Sequence, residues 1–551
     1  MKLPIGMKTL AVSPKPRRRL TSAAVHVSLI ALLLSTGLQA QSAGPYDVVI
    51  RNGRVIDGSG NPWYRADIGI RDGRIAAIGL LARAEAKRTI DAADHIVAPG
   101  FIDIHNHGRR GIFKVPTAVN YVRQGVTTII EGNDGSSPIP LRKFLDQLEE
   151  AEIAVNVGSF VGHGSIRREV IGAADRQATA EELGQMRNIT RRAMEAGALG
   201  LSTGLFYVPG VFAPAGEIIE LAKVAAEYRG MHISHMRDEA GGLLDSVRET
   251  IEIGEKGGLP TQLTHHKAIG PPNWGDSRRT IELVEAARAR GVDVTIDQYP
   301  YTASSTGSAA LYESWVQEGG REQLVARLKN PDLKKRIQRE TAELIRTNRG
   351  GGDPKNVQLA FCKWDTSLNG KTLADITRER GREVTFMTAA QTAMEIEIAG
   401  GCQTVYHAMS EEDVERIMQY PGTMISSDGE IPIFGEGVLH PRSYGTYPRV
   451  LGLYSREKGV LRLEDAVRKM TSLPAQRIGQ FDRGLLRPGM KADITIFDEK
   501  RIIDRAEFGD PHQYAEGILY VLVNGKLVLD GGRLTAARPG QVLYGAGRTD
   551  H

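Results

Sequence analysis

Three features of this 551-residue chain predict an α/β fold: a (β/α)8 TIM barrel with a small β-sandwich formed by the N- and C-terminal segments. Eight apolar, strand-length segments run through the centre, most of them followed by helix-like stretches. Histidines and a carboxylate close several of these segments. Alternating, turn-rich stretches stand at both ends.

Residues 1–43 read as an export signal. Lys2, Lys8, Lys15, Arg17, Arg18 and Arg19 form a basic region without an acid, and Val27-Ser-Leu-Ile-Ala-Leu-Leu-Leu34 is an apolar core too short for a stable bilayer span. Small residues follow around Gln39-Ala-Gln-Ser-Ala43, and Arg17-Arg18-Arg19-Leu20 loosely fits a twin-arginine signal. The expected location is periplasmic or secreted, with no membrane contact after signal removal; an uncleaved anchor is the alternative.

Residues 44–98 are expected to form the N-terminal part of the sandwich. Tyr46-Asp-Val-Val-Ile-Arg-Asn-Gly-Arg-Val-Ile56 alternates and turns at Asn-Gly, and Ala66-Asp-Ile-Gly-Ile-Arg-Asp-Gly-Arg-Ile75 repeats the device. Residues 476–551 supply its C-terminal part through Asp493-Ile-Thr-Ile-Phe497 and Tyr520-Val-Leu-Val-Asn-Gly-Lys-Leu-Val-Leu529.

Residues 99–475 carry the barrel. Its strands are read at the segment before His105 and at 125–131, 154–161, 198–205, 231–236, 259–265, 292–296 and 423–427, with helix-like runs such as 180–196, 217–228 and 277–290 between them. The interval of about 312–420 is too long for one crossover and is expected to hold an insertion. Arg349-Gly-Gly-Gly-Asp353 marks a loop there, and Ser410-Glu-Glu-Asp413 opens a capped helix.

With 41% hydrophobic and 25% charged residues the composition is that of an ordinary globular protein. The formal charge of +4 reflects the N-terminal cations: without those six, 64 basic residues face 66 acidic ones, a net of −2. Charge therefore gives no reason to expect a nucleic-acid partner. Cys362 and Cys402 are the only cysteines, so no disulfide framework is legible, although a single bond stays open.

The chemistry starts at Val97-Ala-Pro-Gly-Phe-Ile-Asp-Ile-His-Asn-His107. Residues two apart in a strand share a face, so His105 and His107 can turn toward one ion. His235 and His265 end two further strands, and Asp428 follows the last. His232 has the wrong parity to join His235. His266 and His407 receive no role.

These motifs together resemble the amidohydrolase superfamily, and within it the N-acyl-D-amino-acid deacylase (D-aminoacylase) family. The resemblance rests on Gly-Phe-Ile-Asp-Ile-His-Asn-His, Ser234-His-Met-Arg-Asp-Glu239, Thr264-His-His-Lys267, Asp297-Gln-Tyr-Pro-Tyr301, Ser427-Asp-Gly429 and His440-Pro-Arg442-Ser-Tyr-Gly-Thr-Tyr-Pro-Arg449, and it runs nearly end to end. It implies a zinc-dependent hydrolase that splits N-acyl-D-amino acids into a carboxylate and a free D-amino acid. His235 and His265 would hold one Zn2+ tightly, with His105 and His107 facing it across a second, weaker site. The family's third tight ligand is usually a Cys in Gly-Asn-Cys-Gly; this chain has Gly132-Asn-Asp134-Gly, so Asp134 takes that place, with Glu131 as a rival. Asp428 would be the catalytic base and later acid.

The resemblance further assigns the substrate's α-carboxylate to Lys267, Tyr207 and Arg442. Tyr301 joins them as a candidate pocket residue, and His163, ending the third strand, could line the pocket or support a second metal. No Lys or Arg lies between Thr302 and Gly320, where Ser304, Ser305, Ala309, Leu311 and Trp315 stand, which points to neutral or apolar substrate side chains. The alternatives are a D-dipeptidase, a cyclic amidase of the dihydropyrimidinase or dihydroorotase type, and a catalytically inactive secreted binding protein. A cyclic amidase of this scaffold relies on a carboxylated lysine at strand four, and Gly197-Ala-Leu-Gly-Leu-Ser-Thr-Gly204 has none. The sequence carries no reading of oligomeric state.

Overall fold

A computed structural model of the protein describes residues 45–549. The export-signal reading of residues 1–43 lies outside the described residues.

Eight parallel strand segments form the barrel. In order they are Phe101–Asp103, Val126–Glu131, Asn156–Ser159 continued by Val161–Gly162, Gly200–Gly204, Met231–His235, Thr261–Leu263, Val294–Gln298 and Thr423–Ile425. Each pairs with the next. The ring closes where Asp428 N donates to His105 O at 2.9 Å and His107 N donates to Gly429 O at 2.7 Å. Nearly every strand residue is buried, because one side faces the barrel interior and the other is covered by helices. Leu141–Glu150, Ala180–Ala196, Ala215–Glu227, Leu243–Gly257 and Ser277–Ala289 supply that cover.

Local sequence sets where those helices begin and end. Thr179 and Glu182 cap Ala180–Ala196 reciprocally, and Gly197 ends it at φ 106°, a conformation that a side chain would resist. That stop releases the chain into the fourth strand.

The terminal β pieces form one hydrogen-bonded sheet of nine strands, joined where Ile96–Pro99 runs antiparallel to Ile494–Phe497. Val48, Ile68, Ile90, Val97, Ile494 and Leu522 share its core. Asn52-Gly53 is not the hairpin turn expected from its sequence. The strand runs on through it as Tyr46–Val55 with a bulge and Asn52 at φ 62°, because its two halves pair with different partners, Ala86–Asp91 and Ile96–Pro99. Asp72-Gly73 and Asn524-Gly525, both at positive φ, do make two-residue turns. The chain end then returns to the barrel: Val542–Leu543 pairs in parallel with Asn156–Ser159.

The insertion is a compact body beginning at Ser304 rather than 312. Ser304–Gly307, Gln403–Tyr406 and Val357–Phe361 form an antiparallel sheet. Helices Arg321–Lys329, Pro331–Thr347, Leu373–Glu379 and Phe386–Ala399 surround a separate core containing Ile337, Ile345, Leu359 and Met394. Cys362 and Cys402 are disulfide-bonded at the ends of two paired strands, which the sequence had left open. Leu311 lies in this core, with Ala309 and Trp315 packed against it, so these three do not form the substrate pocket.

Candidate metal centre and active site

The C-terminal ends of the barrel strands deliver His107, Asp134, His235, His265 and Asp428 to the floor of one cavity of about 440 Å³, and His105, fully buried, stands against Asp134 and Asp428 outside the lining. They fall into two groups that could each hold an ion: His105, His107, Asp134 and Asp428, and Asp134, His235 and His265, with the potential ligand atoms of each group within 4.8 Å of one another. Asp134 belongs to both. Its Oδ1 lies 3.4 Å from His105 Nε2 and 3.5 Å from His265 Nε2, while its Oδ2 lies 3.4 Å from His107 Nε2. Asp428 Oδ1 is 3.0 Å from His107 Nε2 and 3.4 Å from His105 Nε2.

Backbone conformation aims three of these groups. Asp134 at φ 53°, His265 at φ 34° and Asp428 at φ 50° all sit in the left-handed region, which costs non-glycine residues of the order of 1–3 kcal/mol and gathers at functional sites.

Buried neighbours fix the imidazoles. Thr264 Oγ1 donates to Asp297 Oδ2 at 2.7 Å, so it accepts from His105 Nδ1 and leaves Nε2 as the free lone pair. His105 Nε2, Asp134 Oδ1 and His235 Nε2 are buried atoms without hydrogen-bond partners. Glu239 Oε1 stands 3.2 Å from His265 Nδ1 and Oε2 stands 3.7 Å from His235 Nε2. Such outer carboxylates orient metal-binding histidines.

Burial pushes the His107 imidazole down, but Asp134 and Asp428 outweigh it and raise it to about 10. His265 is likewise raised to about 9 against burial and Lys267, chiefly by Asp134 and Glu239, whereas burial lowers His235 to about 4. Burial opposes ionisation of Asp428, yet Arg442 and the histidines hold its carboxyl well below the usual carboxylate range. The cluster thus draws in positive charge, and its donor set of imidazoles and carboxylates suits zinc.

Cations flank the floor. Lys267 Nζ donates to Glu239 Oε1 at 2.5 Å and lies 2.6 Å from His265 Nδ1. Arg442 Nη1 pairs with Asp428 Oδ2 at 2.7 Å. Tyr299 stacks beneath both, its ring centroid 4.9 Å from the Arg442 guanidinium carbon and 5.6 Å from Lys267 Nζ. Tyr207 lines the cavity and hydrogen-bonds Thr306 through its hydroxyl at 3.2 Å.

Three expected site residues stand elsewhere. Tyr301 is outside the lining and Tyr299 takes the place: Tyr301 N donates to Tyr299 O at 3.0 Å, and this three-residue turn breaks the strand alternation and sends the second ring under Arg449, 4.8 Å away. His163 is fully buried, bonding Glu217 Oε1 at 2.8 Å beside Arg167, so it supports the third-strand loop instead of touching ligand. Glu131 joins neither ligand group; burial raises its carboxyl to about 7 and its Oε1 has no hydrogen-bond partner.

Two further residues belong to the site. Glu239 stands four residues after His235. Arg349, in the loop Arg349-Gly-Gly-Gly-Asp353, leaves the insertion to bond Glu239 Oε2 at 3.2 Å. A buried carboxylate shared by two cations and two histidines has no signature along the chain.

The sequence matches the model of the "Amidohydrolase family" over residues 88–330 and 427–529, and that of the "Urease alpha-subunit, N-terminal domain" over residues 34–100. It is 36% identical over 522 residues to a D-aminoacylase of Alcaligenes xylosoxydans xylosoxydans, covering 91% of this chain and 98% of that protein. An N-acyl-D-glutamate deacylase of the same organism is 36% identical, over 90% of this chain and 96% of the relative. Among solved structures, the N-acyl-D-glutamate deacylase of Bordetella bronchiseptica, complexed with zinc and a phosphonate mimic of the reaction's tetrahedral intermediate, superposes with a TM-score of 0.79 at 36% identity, covering 91% of this chain and all of that one.

Proposed function

The chain belongs to the amidohydrolase family, and from that premise we propose that it is a zinc-dependent hydrolase cleaving N-acyl-D-amino acids to a carboxylate and the free D-amino acid. The observation that carries this reading is the convergence of four histidines and two aspartates in two adjoining ligand groups at one cavity, flanked by Lys267 and Arg442.

His105, His107, Asp134, His235 and His265 would hold the metal, whose contribution is Lewis acidity toward the acyl carbonyl and an acidified water. Arg442 and Lys267, backed by Tyr299, would hold the substrate's α-carboxylate by charge-assisted hydrogen bonds. That grip places the amide over the floor. Asp428 is ionised at rest, so it would accept the proton of the attacking water and return it to the leaving nitrogen. Arg442, 2.7 Å from Asp428, ties substrate binding to the position of that base.

Ser304, Ser305 and Thr306 line the cavity without adding a cation, which supports neutral side chains on the D-amino acid. A strand-four lysine is absent and Asp134 bridges the two ligand groups, which favours linear amides over ring opening.

We also infer export. The Cys362–Cys402 disulfide suits an oxidising compartment, and the basic-then-apolar N-terminus suits a cleaved signal. N-terminal sequencing of the protein from a periplasmic extract should begin near Ala43; recovery of Met1 there would refute cleavage.

The primary test is hydrolysis of paired N-acetyl-D- and N-acetyl-L-amino acids, with zinc content measured on the same sample. Release of free D-amino acid by zinc-loaded protein is expected. Zinc binding with neither enantiomer cleaved would overturn the reading and bring D-dipeptides forward.

A further inference from the structure

The turn after the first barrel strand and the helix His163–Val170 after the third place three arginines on the cavity lining, Arg109, Arg110 and Arg168. Arg109 donates to Ser136 O at 2.8 Å and Ser136 Oγ at 3.2 Å, and Arg168 donates to Val208 O at 2.8 Å. Among the described residues none of the three guanidinium groups is within ion-pair distance of a carboxylate; Glu131 accepts from the Arg109 backbone N–H and acts on its guanidinium from further away. The opposite wall differs: Lys267 and Arg349 share Glu239, and Arg442 has Asp428. The two remaining carboxylates on the lining, Glu430 and Asp134, also act on Arg442.

A linear substrate gives this asymmetry a direction. With its α-carboxylate at Arg442 and Lys267, its amide lies over the histidine floor. Its acyl chain must then run toward the far wall, where Arg109 follows His107 by two residues and clamps Ser136, itself two residues after Asp134. A cavity of about 440 Å³ also leaves room beyond an acetyl cap. Unpaired guanidinium groups on a concave wall raise the local concentration of anions and bind carboxylates in a forked geometry.

We propose that Arg109, Arg110 and Arg168 form an anion subsite for the acyl end, so that the favoured substrates are D-amino acids acylated by a dicarboxylic acid, of the N-succinyl or N-glutaryl class. This rests on the deacylase reading and specifies its substrate.

The test compares kcat/KM for N-acetyl-, N-succinyl- and N-glutaryl-D-leucine in the zinc-loaded wild type, Arg109→Gln, Arg168→Gln and the double variant, each checked for an unchanged Tm. The wild type should prefer a dicarboxylic acyl group by about tenfold or more, and the double variant should lose that ratio mainly through KM, as expected for charge-assisted hydrogen bonds. Raising the salt concentration should erode the ratio in the wild type. A wild-type ratio near one, or a ratio unmoved in the double variant, overturns the subsite and leaves the deacylase reading standing. Preference for N-acetyl-D-glutamate that vanishes in the variants would place the arginines at the side-chain end and overturn the acyl assignment. If no acyl compound is cleaved, the deacylase reading falls and this subsite with it.

Discussion

The loops after barrel strands five to eight and the insertion bury Lys267, Arg349 and Arg442 against Glu239 and Asp428, whereas the segments after strands one and three leave Arg109 with a serine hydroxyl and a backbone carbonyl and Arg168 with a backbone carbonyl, beside the exposed Arg110. A charge withdrawn from water is costly unless paired, so the deep wall carries its own counter-ions and is rigid before substrate arrives. At the rim Arg110 and Arg168 are exposed to water and Arg109 is half-buried, and their charge stays available to a ligand. One wall is therefore built for chemistry and the other for selection.

That contrast can be broken in order of effect. The largest change should come from Asp428→Asn, which keeps the shape but removes the proton acceptor: kcat should fall about 10²–10⁴-fold with zinc content intact. Comparable turnover in the variant would remove Asp428 from the role of base. Dialysis against a chelator should abolish turnover, and added zinc should restore it; activity surviving complete metal removal would refute the metal requirement.

Glu239→Gln comes next, because it loosens two histidines and two cations together. A loss of about 10–100-fold in zinc affinity or activity is expected for an outer carboxylate of this kind, read by zinc competition as well as by rate. An unchanged zinc affinity with altered KM alone would reduce Glu239 to a partner of Lys267. Thr264→Val should be milder, since it removes only the hydroxyl that orients His105. Its zinc affinity at the His105 side should fall while substrate KM stays put.

The smallest effect on chemistry should follow Cys362→Ser. The bond closes a span of 40 residues, and its loss should destabilise the protein by about 2–4 kcal/mol. Because Ser304–Gly307 and Gln403 line the cavity from the same sheet, KM should respond more than kcat. An unaltered Tm would show that the insertion core holds that wall unaided.

Much of the scaffold was legible along the chain, for identifiable reasons. Barrel strands announce themselves as apolar runs because both of their faces are buried, and histidines at their ends stand out because polar groups there face the loops. Asp134 was legible only through the family resemblance, which sets a Cys where Gly132-Asn-Asp134-Gly has a carboxylate. Asn52-Gly53 misled because its positive φ serves a bulge as readily as a turn, and partner exchange, not local preference, chose between them. Tyr301 was not separable from Tyr299 within Asp297-Gln-Tyr-Pro-Tyr301, because the three-residue turn that decides which ring faces the cavity is a backbone feature the motif does not show.

By itself, then, the sequence determined the alternation that makes a barrel, the joining of the terminal β pieces into one unit, and which residue types reach the strand ends. Only the tertiary structure decided which of those residues meet. Glu239 reaches Arg349 across 110 positions and Asp428 reaches His105 across the closing seam, and contacts of that separation depend on how the whole ring packs, a property no local pattern encodes.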